Sequence, residues 1–153
     1  MDKKLFSHSA RLRVRNYEVD WQGIVHNANY LLYFEVGRIE YLRRVGVNVD
    51  LNAIRNDSRV VLVRNEIDYR SPASFNEELE VYSRVVYIKK TSFAFEGLIE
   101  AVSSGRVVAE NVAVHVWLDG KSGEPLIVPD DFRAKIVRFE KNNVAIFQPP
   151  SMA

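Results

Sequence analysis

The chain has no cysteine, so it can have no disulfide framework, thiolate nucleophile or thiolate metal site. Its three histidines, His8, His26 and His115, lack the spacing of metal-ligand pairs, which argues against a metal centre. No apolar run approaches the roughly twenty residues needed to span a bilayer. The opening MDKKLFSHSARLR has no secretory apolar core, which points to a cytoplasmic protein. Charge of one sign is not in excess either: 21 Lys+Arg against 20 Asp+Glu leave +1. That balance gives no reason to expect nucleic acid or a membrane surface as partner. What is present, 153 residues of which 47% are hydrophobic, fits one globular domain over 1–153. Its core is expected at about 8–140, with a frayed tail over 148–153. Chemistry is left to carboxylates, hydroxyls, imidazoles and backbone amides, with no cofactor called for.

Residues 6–19 alternate Leu12 and Val14 against Arg11, Arg13 and Arg15, the pattern of a strand with one wet face. The three arginines lack interleaved aromatics, so they do not read as a nucleic-acid stripe. The pattern breaks at Asp20-Trp21-Gln22-Gly23, a tight turn. From about Ala28 to Val45 the period becomes helical, with Ala28, Leu32, Val36, Ile39 and Leu42 on one face. Asn27 or Asn29 is the expected N-cap, and Gly46 the stop. The opposite face carries Tyr30, Tyr33, Phe34 and Tyr41, so both sides of this helix are apolar. One side faces a sheet, and the simplest cover for the other is a second subunit.

A loop is expected around Asn48–Asn56. Four strand-like stretches follow at 59–70, 78–89, 91–103 and 106–118, read as consecutive antiparallel strands. Pro129 to Asp131 then start a short helix over Phe132–Arg138. The expected architecture is α+β, a long helix lying on an antiparallel sheet.

The stretch from Val19 to Glu35 carries the chemistry. It sets a carboxylate, Asp20, and a glycine turn, Gly23, just ahead of the first turn of a buried helix. The unpaired N–H groups of that turn, at the positive end of the helix dipole, suit a developing oxyanion. A carboxylate beside such donors has the two parts that acyl transfer requires.

Asp20, Gly23, Ile24-Val25, Tyr30-Leu31 and Phe34-Glu35 together resemble the motif of hotdog-fold acyl-CoA thioesterases of the 4-hydroxybenzoyl-CoA thioesterase type. Ile67-Asp68-Tyr69-Arg70-Ser71-Pro72, Glu77–Val81, Thr91-Ser92-Phe93 and Val128-Pro129 are similar to the same family. The resemblance covers roughly 10–135 and implies a hotdog fold, a curved antiparallel sheet wrapped around the helix. It implies thioester hydrolysis of an acyl-CoA, with coenzyme A as part of the substrate and no cofactor. Asp20 matches the family's nucleophile or general base, and the Asn27 and Ala28 amides match the carbonyl-polarising helix end. Gly23, Ile24, Val25, His26, Tyr30, Phe34 and Thr91 are the implied substrate-binding residues, and Lys89 and Lys90 match a pair that contacts coenzyme A phosphates. Homodimers or homotetramers are the implied assemblies. His26-Asn27 stands where many bacterial members have Tyr-His, so a histidine role at position 27 is absent; Asn27 resembles members acting on long-chain acyl groups.

The residues themselves leave other readings open. Asp20 can be a turn residue, and Glu35 a structural partner of Arg38 or Arg43. Tyr30 can simply pack, His26 lie at the surface, and His115 make an ordinary hydrogen bond on a sheet face. Lys89-Lys90 can be a solvated strand end. Hydrolysis of an acyl-carrier-protein thioester and non-catalytic acyl binding are the alternatives to an acyl-CoA thioesterase. A hotdog hydratase would place a histidine where Val25 stands.

Overall fold

The computed structural model describes residues 1–49 and 58–147. Most of the expected loop at Asn48–Asn56 and the whole 148–153 tail lie outside them. Strand β1 (Ser9–Arg13) is followed by helix α1 (Asn27–Val45), then β2 (Ser58–Tyr69), β3 (Glu78–Ile88), β4 (Ser92–Ala101) and β5 (Val107–Asp119). Helix α2 (Asp130–Glu140) and the short β6 (Ala145–Ile146) complete the chain.

The sheet order is β1-β3-β4-β5-β2, with β6 parallel to β3 and every other pair antiparallel. The expected run of four consecutive neighbours is therefore corrected. Only β3, β4 and β5 form a meander, and β2 crosses to the far edge to pair with β5. Pairing between distant strands leaves no local trace, which is why alternation alone did not reveal it. Register shifts at Leu62/Arg64, Val85/Tyr87 and Ile99/Glu100 bend the sheet, as bulges do. The first extended segment is also shorter than 6–19, because a 3₁₀ turn over Asn16–Glu18 ends it.

Helix α1 starts where the sequence indicates, but its cap is His26, whose side chain accepts from Ala28 N, and neither Asn27 nor Asn29. Asn29 is instead drawn to the preceding chain, its Nδ2 donating to Glu18 O at 2.7 Å. Gly46, at φ 91°, ends the helix in the left-handed conformation that a β-carbon disfavours.

The sequence leaves open which apolar face of the helix meets the sheet, and the structure assigns it to the aromatic one. Tyr30, Tyr33, Phe34, Gly37, Arg38 and Tyr41 are the buried set, while Leu32 and Val36 are 55% and 46% exposed. The reason is area: aromatic rings remove more apolar surface from water than aliphatic side chains do, so they take the sheet. On the sheet, Leu79, Val81 and Val85 of β3, Phe95, Ile99 and Ala101 of β4, and Ala109 and Ala113 of β5 are buried. Two glycines allow the layers to close. An added β-carbon at Gly37 would stand 2.6 Å from Val81 Cγ1, and one at Gly97 2.6 Å from Phe34 Cδ1.

Helix α2 seals the far end, with Phe132 and Ile136 joining Tyr41, Ile88, Phe93 and Phe95 in one core cluster. Tyr41 OH donates to Glu140 Oε1 at 2.8 Å, while Glu140 Oε2 is buried with no partner among the described residues. Burial raises the Glu140 carboxyl above its ordinary 4.5, because the charged form is poorly solvated there. A raised folded-state pKa gives stability that is full below the unfolded value and is lost as pH rises through the folded one. Urea denaturation of Glu140→Gln, followed from mildly acidic to neutral pH, is expected to show a weaker fall in stability with rising pH than wild type. Parallel profiles would show that Glu140 does not titrate abnormally.

Candidate active site

The turn that carries Asp20 is built by its own side chain. Asp20 Oδ1 accepts from Gln22 N at 2.8 Å and from Ile24 N at 3.4 Å, and Gly23 supplies φ +81°. Asp20 N donates to Ile24 O at 2.9 Å, closing a small hairpin. Oδ2 takes part in no hydrogen bond among the described residues. Asp20 is half-buried, beside the fully open ring of Trp21.

Two segments lock this hairpin to the start of α1. His26 N donates to Glu18 O at 3.0 Å, the same oxygen that Asn29 Nδ2 reaches. The loop before β3 grips the other side, with Val25 N donating to Ala73 O and Phe75 N to Gly23 O, both at 2.9 Å. Ala73 N in turn donates to Tyr30 OH at 3.0 Å. The carboxylate and the helix end thus belong to one hydrogen-bonded unit.

Of the first-turn amides, that of Asn27 has no hydrogen bond among the described residues, and that of Ala28 holds only a 3.4 Å contact to His26 Nδ1. His26 is exposed. Tyr30 and Phe34, expected to line the acyl slot, are instead core residues, 3% and 1% exposed, on the sheet side of the helix.

A cavity of about 540 Å³ is bounded by Leu31, Leu32, Ile39 and Leu42 of α1, Val60 and Leu62 of β2, and Phe93, His115, Trp117 and Phe132. It begins one helical turn after Asn27 and runs along the outer face of α1, the stripe that lies exposed on the single chain. Glu35, Arg38, Asn48, Ser58 and Asn65 supply its polar wall.

The expected pairing of Glu35 with Arg38 or Arg43 is not found: Arg43 pairs with Glu40, and Arg38 Nη1 donates to Asn111 Oδ1 at 3.2 Å. Glu35 is exposed at the cavity edge and acts on Arg38 by its charge, without an ion pair. His115 stacks on Phe93 with ring centres 5.2 Å apart, and its Nδ1 is buried without a hydrogen-bond partner among the described residues. Burial first, and then the Arg38 charge, push its pKa down to about 4, so the imidazole is neutral near pH 7.

Lys89 and Lys90 are not brought to Asp20. They follow β3 beside the far end of α1, where Arg133 Nη2 donates to both their carbonyls and Lys89 Nζ sits 5.0 Å over Tyr87. A helix of 19 residues separates the two ends, roughly 28 Å at 1.5 Å per residue. Thr91 lies in the same distal hairpin, its carbonyl accepting from Trp117 N at 2.9 Å. Among the described residues no three His, Asp or Glu side chains gather as a metal-binding group, and no helix is long and apolar enough to cross a membrane.

Sequence reasoning missed Arg38, Asn65, Asn111 and Trp117 as parts of a site. A signal was available: Arg38 follows Phe34 by four and precedes Tyr41 by three, an inward helical position, and Asn111 shares the inward face of β5 with Ala109 and Ala113. Polar groups at core positions mark sites more often than apolar ones do.

A family model described as the thioesterase-like superfamily matches residues 14–136. The chloroplastic acyl-acyl carrier protein thioesterase ATL3 of Arabidopsis thaliana is 29% identical over 139 residues, covering 91% of this chain and 72% of that protein. The long-chain acyl-CoA thioesterase FadM of Escherichia coli is 27% identical over 131 residues, 86% of this chain and 98% of that one. The crystal structure of a thioesterase from Thermus thermophilus, complexed with coenzyme A and zinc, superposes with a TM-score of 0.75 at 32% identity, covering 88% and 95% of the two chains. With a curved antiparallel sheet against a long helix and this match over most of its length, the chain belongs to the thioesterase-like superfamily and is a thioester hydrolase of the hotdog fold.

Proposed function

We propose that the protein hydrolyses acyl-coenzyme A, with Asp20 as nucleophile or general base and the free end of α1 polarising the thioester carbonyl. The observation that carries this reading is the hydrogen-bonded lock between the Asp20 hairpin and the first turn of α1 through Glu18 O. The Asn27 amide receives the carbonyl oxygen, and the Ala28 amide joins it by exchanging its long contact to His26 for the substrate. Negative charge gathers on that oxygen in the transition state, so donors already fixed at a helix end act where they are needed most. Asp20 Oδ2 either attacks the carbonyl carbon or takes a proton from the attacking water. When Asp20 attacks, the carbon–sulfur bond breaks to leave an acyl–Asp20 anhydride, which water then hydrolyses to the acid and free Asp20. When water attacks, the tetrahedral intermediate expels the sulfur and gives the acid directly. In both routes the departing thiolate takes up a proton that the water supplies and leaves as coenzyme A thiol. Gly23, Ile24 and His26 form the wall beside the reacting carbon, Val25 being a core residue like Tyr30 and Phe34, and the acyl chain enters the cavity along Leu31, Leu32 and Ile39.

Lys89 and Lys90 bind the phosphates of coenzyme A in this reading. Because they stand at the end of α1 away from Asp20, each pair serves the site of a neighbouring copy in a homodimer or homotetramer. The exposed Leu32 and Val36, together with Val60, Leu62 and Val63 on the edge strand β2, supply apolar surface for that association.

A second substrate carrier, acyl carrier protein, is favoured by the similarity to ATL3 over 91% of the chain. A panel of thioesters, each acyl group presented once on coenzyme A and once on carrier protein, with release of free thiol as readout, tests both. Turnover is expected on acyl-CoA. A preference for the carrier-protein partner of the same acyl group would favour the second reading, and binding without thiol release would reject both.

A further inference from the structure

Arg38 is 8% exposed, yet it stands in the wall of a cavity whose other sides are mostly hydrocarbon. Its position is fixed. Asn111 Oδ1 accepts from Nη1 at 3.2 Å, and Asn111 is itself held by donating to Asn65 Oδ1 and, at 2.7 Å, to Glu66 O. No described carboxylate forms an ion pair with Arg38, and no described residue accepts from its Nε or Nη2. Glu35 acts on it through charge alone, and neither His115 nor Trp117 accepts a hydrogen bond from it, so the cavity offers a cation with unfilled donors.

An all-hydrocarbon occupant would displace water from those donors and give nothing back, and a charged group left so costs more than a neutral one. An oxygen on the occupant would replace the lost water. The position of that oxygen follows from the helix. Arg38 comes eleven residues after Asn27, roughly 16 Å along the axis at 1.5 Å per residue. Helical side chains lean toward the N-terminus, which shortens the reach somewhat. The oxygen therefore sits well away from the thioester.

We propose that Arg38 is a specificity-determining residue that selects acyl groups bearing an oxygen acceptor near the distal end of a medium-length chain. The inference rests on the reading of Asp20 and the start of α1 as the thioester end of the site.

The test compares decanoyl-CoA with 10-hydroxydecanoyl-CoA, decanedioyl-CoA and 3-hydroxydecanoyl-CoA, in wild type and in Arg38→Met, a change that keeps length and apolar volume. Wild type is expected to favour at least one distally oxygenated substrate in kcat/KM by about tenfold or more. The two distal arms distinguish a neutral from an anionic acceptor, and the 3-hydroxy arm is expected to gain nothing. In Arg38→Met the distal preference is expected to collapse to within about twofold. Such ratios are taken within one enzyme, so a partly unfolded variant does not move them. Equal wild-type rates on decanoyl-CoA and both distally oxygenated substrates would overturn the proposal, as would a preference that survives in Arg38→Met. Calorimetric binding of the thioethers S-decyl-CoA and S-(10-hydroxydecyl)-CoA reads the same preference without turnover. Absent hydrolysis with an Arg38-dependent preference for the hydroxy thioether would fault only the catalytic reading; active hydrolysis with no preference would fault only this one.

Discussion

Asp20→Asn is expected to lower kcat/KM on the best acyl-CoA by about 10²–10⁴, the range for losing a positioned acid–base group. That corresponds to about 3–5 kcal/mol of transition-state stabilisation. Asparagine is the informative replacement because it separates the two roles of the side chain. Its amide oxygen can still accept from Gln22 N and Ile24 N, so the turn is kept. What disappears is the charge and basicity of the second oxygen. Circular dichroism and the melting temperature should match wild type, and the oligomeric state should not change. Asp20→Ala removes the turn acceptor as well and should destabilise by about 1 kcal/mol. If Asp20→Asn keeps full activity, the residue is a turn former and the chemistry lies elsewhere.

Gly97→Ala is expected to cost about 1–3 kcal/mol, the usual penalty of overpacking a filled core. Its β-carbon would meet Phe34 Cδ1 at 2.6 Å and Cε1 at 2.8 Å. The Phe34 ring cannot retreat, being 1% exposed between α1 and the sheet. For a domain of this size the melting temperature should fall by roughly 3–10 °C. Pairing Gly97→Ala with Phe34→Leu makes room for the new methyl group, so the double variant should lose less than the two single losses summed. Gly37→Ala meets Val81 Cγ1 at 2.6 Å and Ser83 Oγ at 2.7 Å, but alanine regains about 1 kcal/mol of helix propensity there, so its net loss should be smaller. An unchanged melting temperature for Gly97→Ala would mean that helix and sheet are not in the contact described.

The helix was legible because its signals are local: a 3.6-residue period from about Ala28 and a glycine stop at position 46. The strands were legible for the same reason, their alternation setting Phe93, Phe95, Ile99 and Ala101 to one side. The family motif from Asp20 to Glu35 was legible as a string of residues. What remained hidden depends on contacts between distant segments. Both faces of α1 are apolar, so periodicity could not say that Tyr30 and Phe34 enter the core while Leu32 and Val36 stay outside. The crossing of β2 to β5 and the grip of Ala73 on Val25 and Tyr30 are likewise non-local. Arg38 looked like an ordinary charge beside Glu35, because a sequence does not show that Asn111 and Asn65 wait across the layer to hold it.

The central claim is that a thioester carbonyl binds between Asp20 and the free end of α1. A crystal structure with a ketone analogue of decanoyl-CoA, in which a methylene replaces the thioester sulfur, tests it most directly. The carbonyl oxygen is expected within about 3 Å of Asn27 N, the carbonyl carbon facing Asp20 Oδ2, and the alkyl chain lying along Leu31, Leu32 and Ile39. A carbonyl bound away from the α1 terminus, with Asp20 beyond the reach of one bridging water, would contradict it.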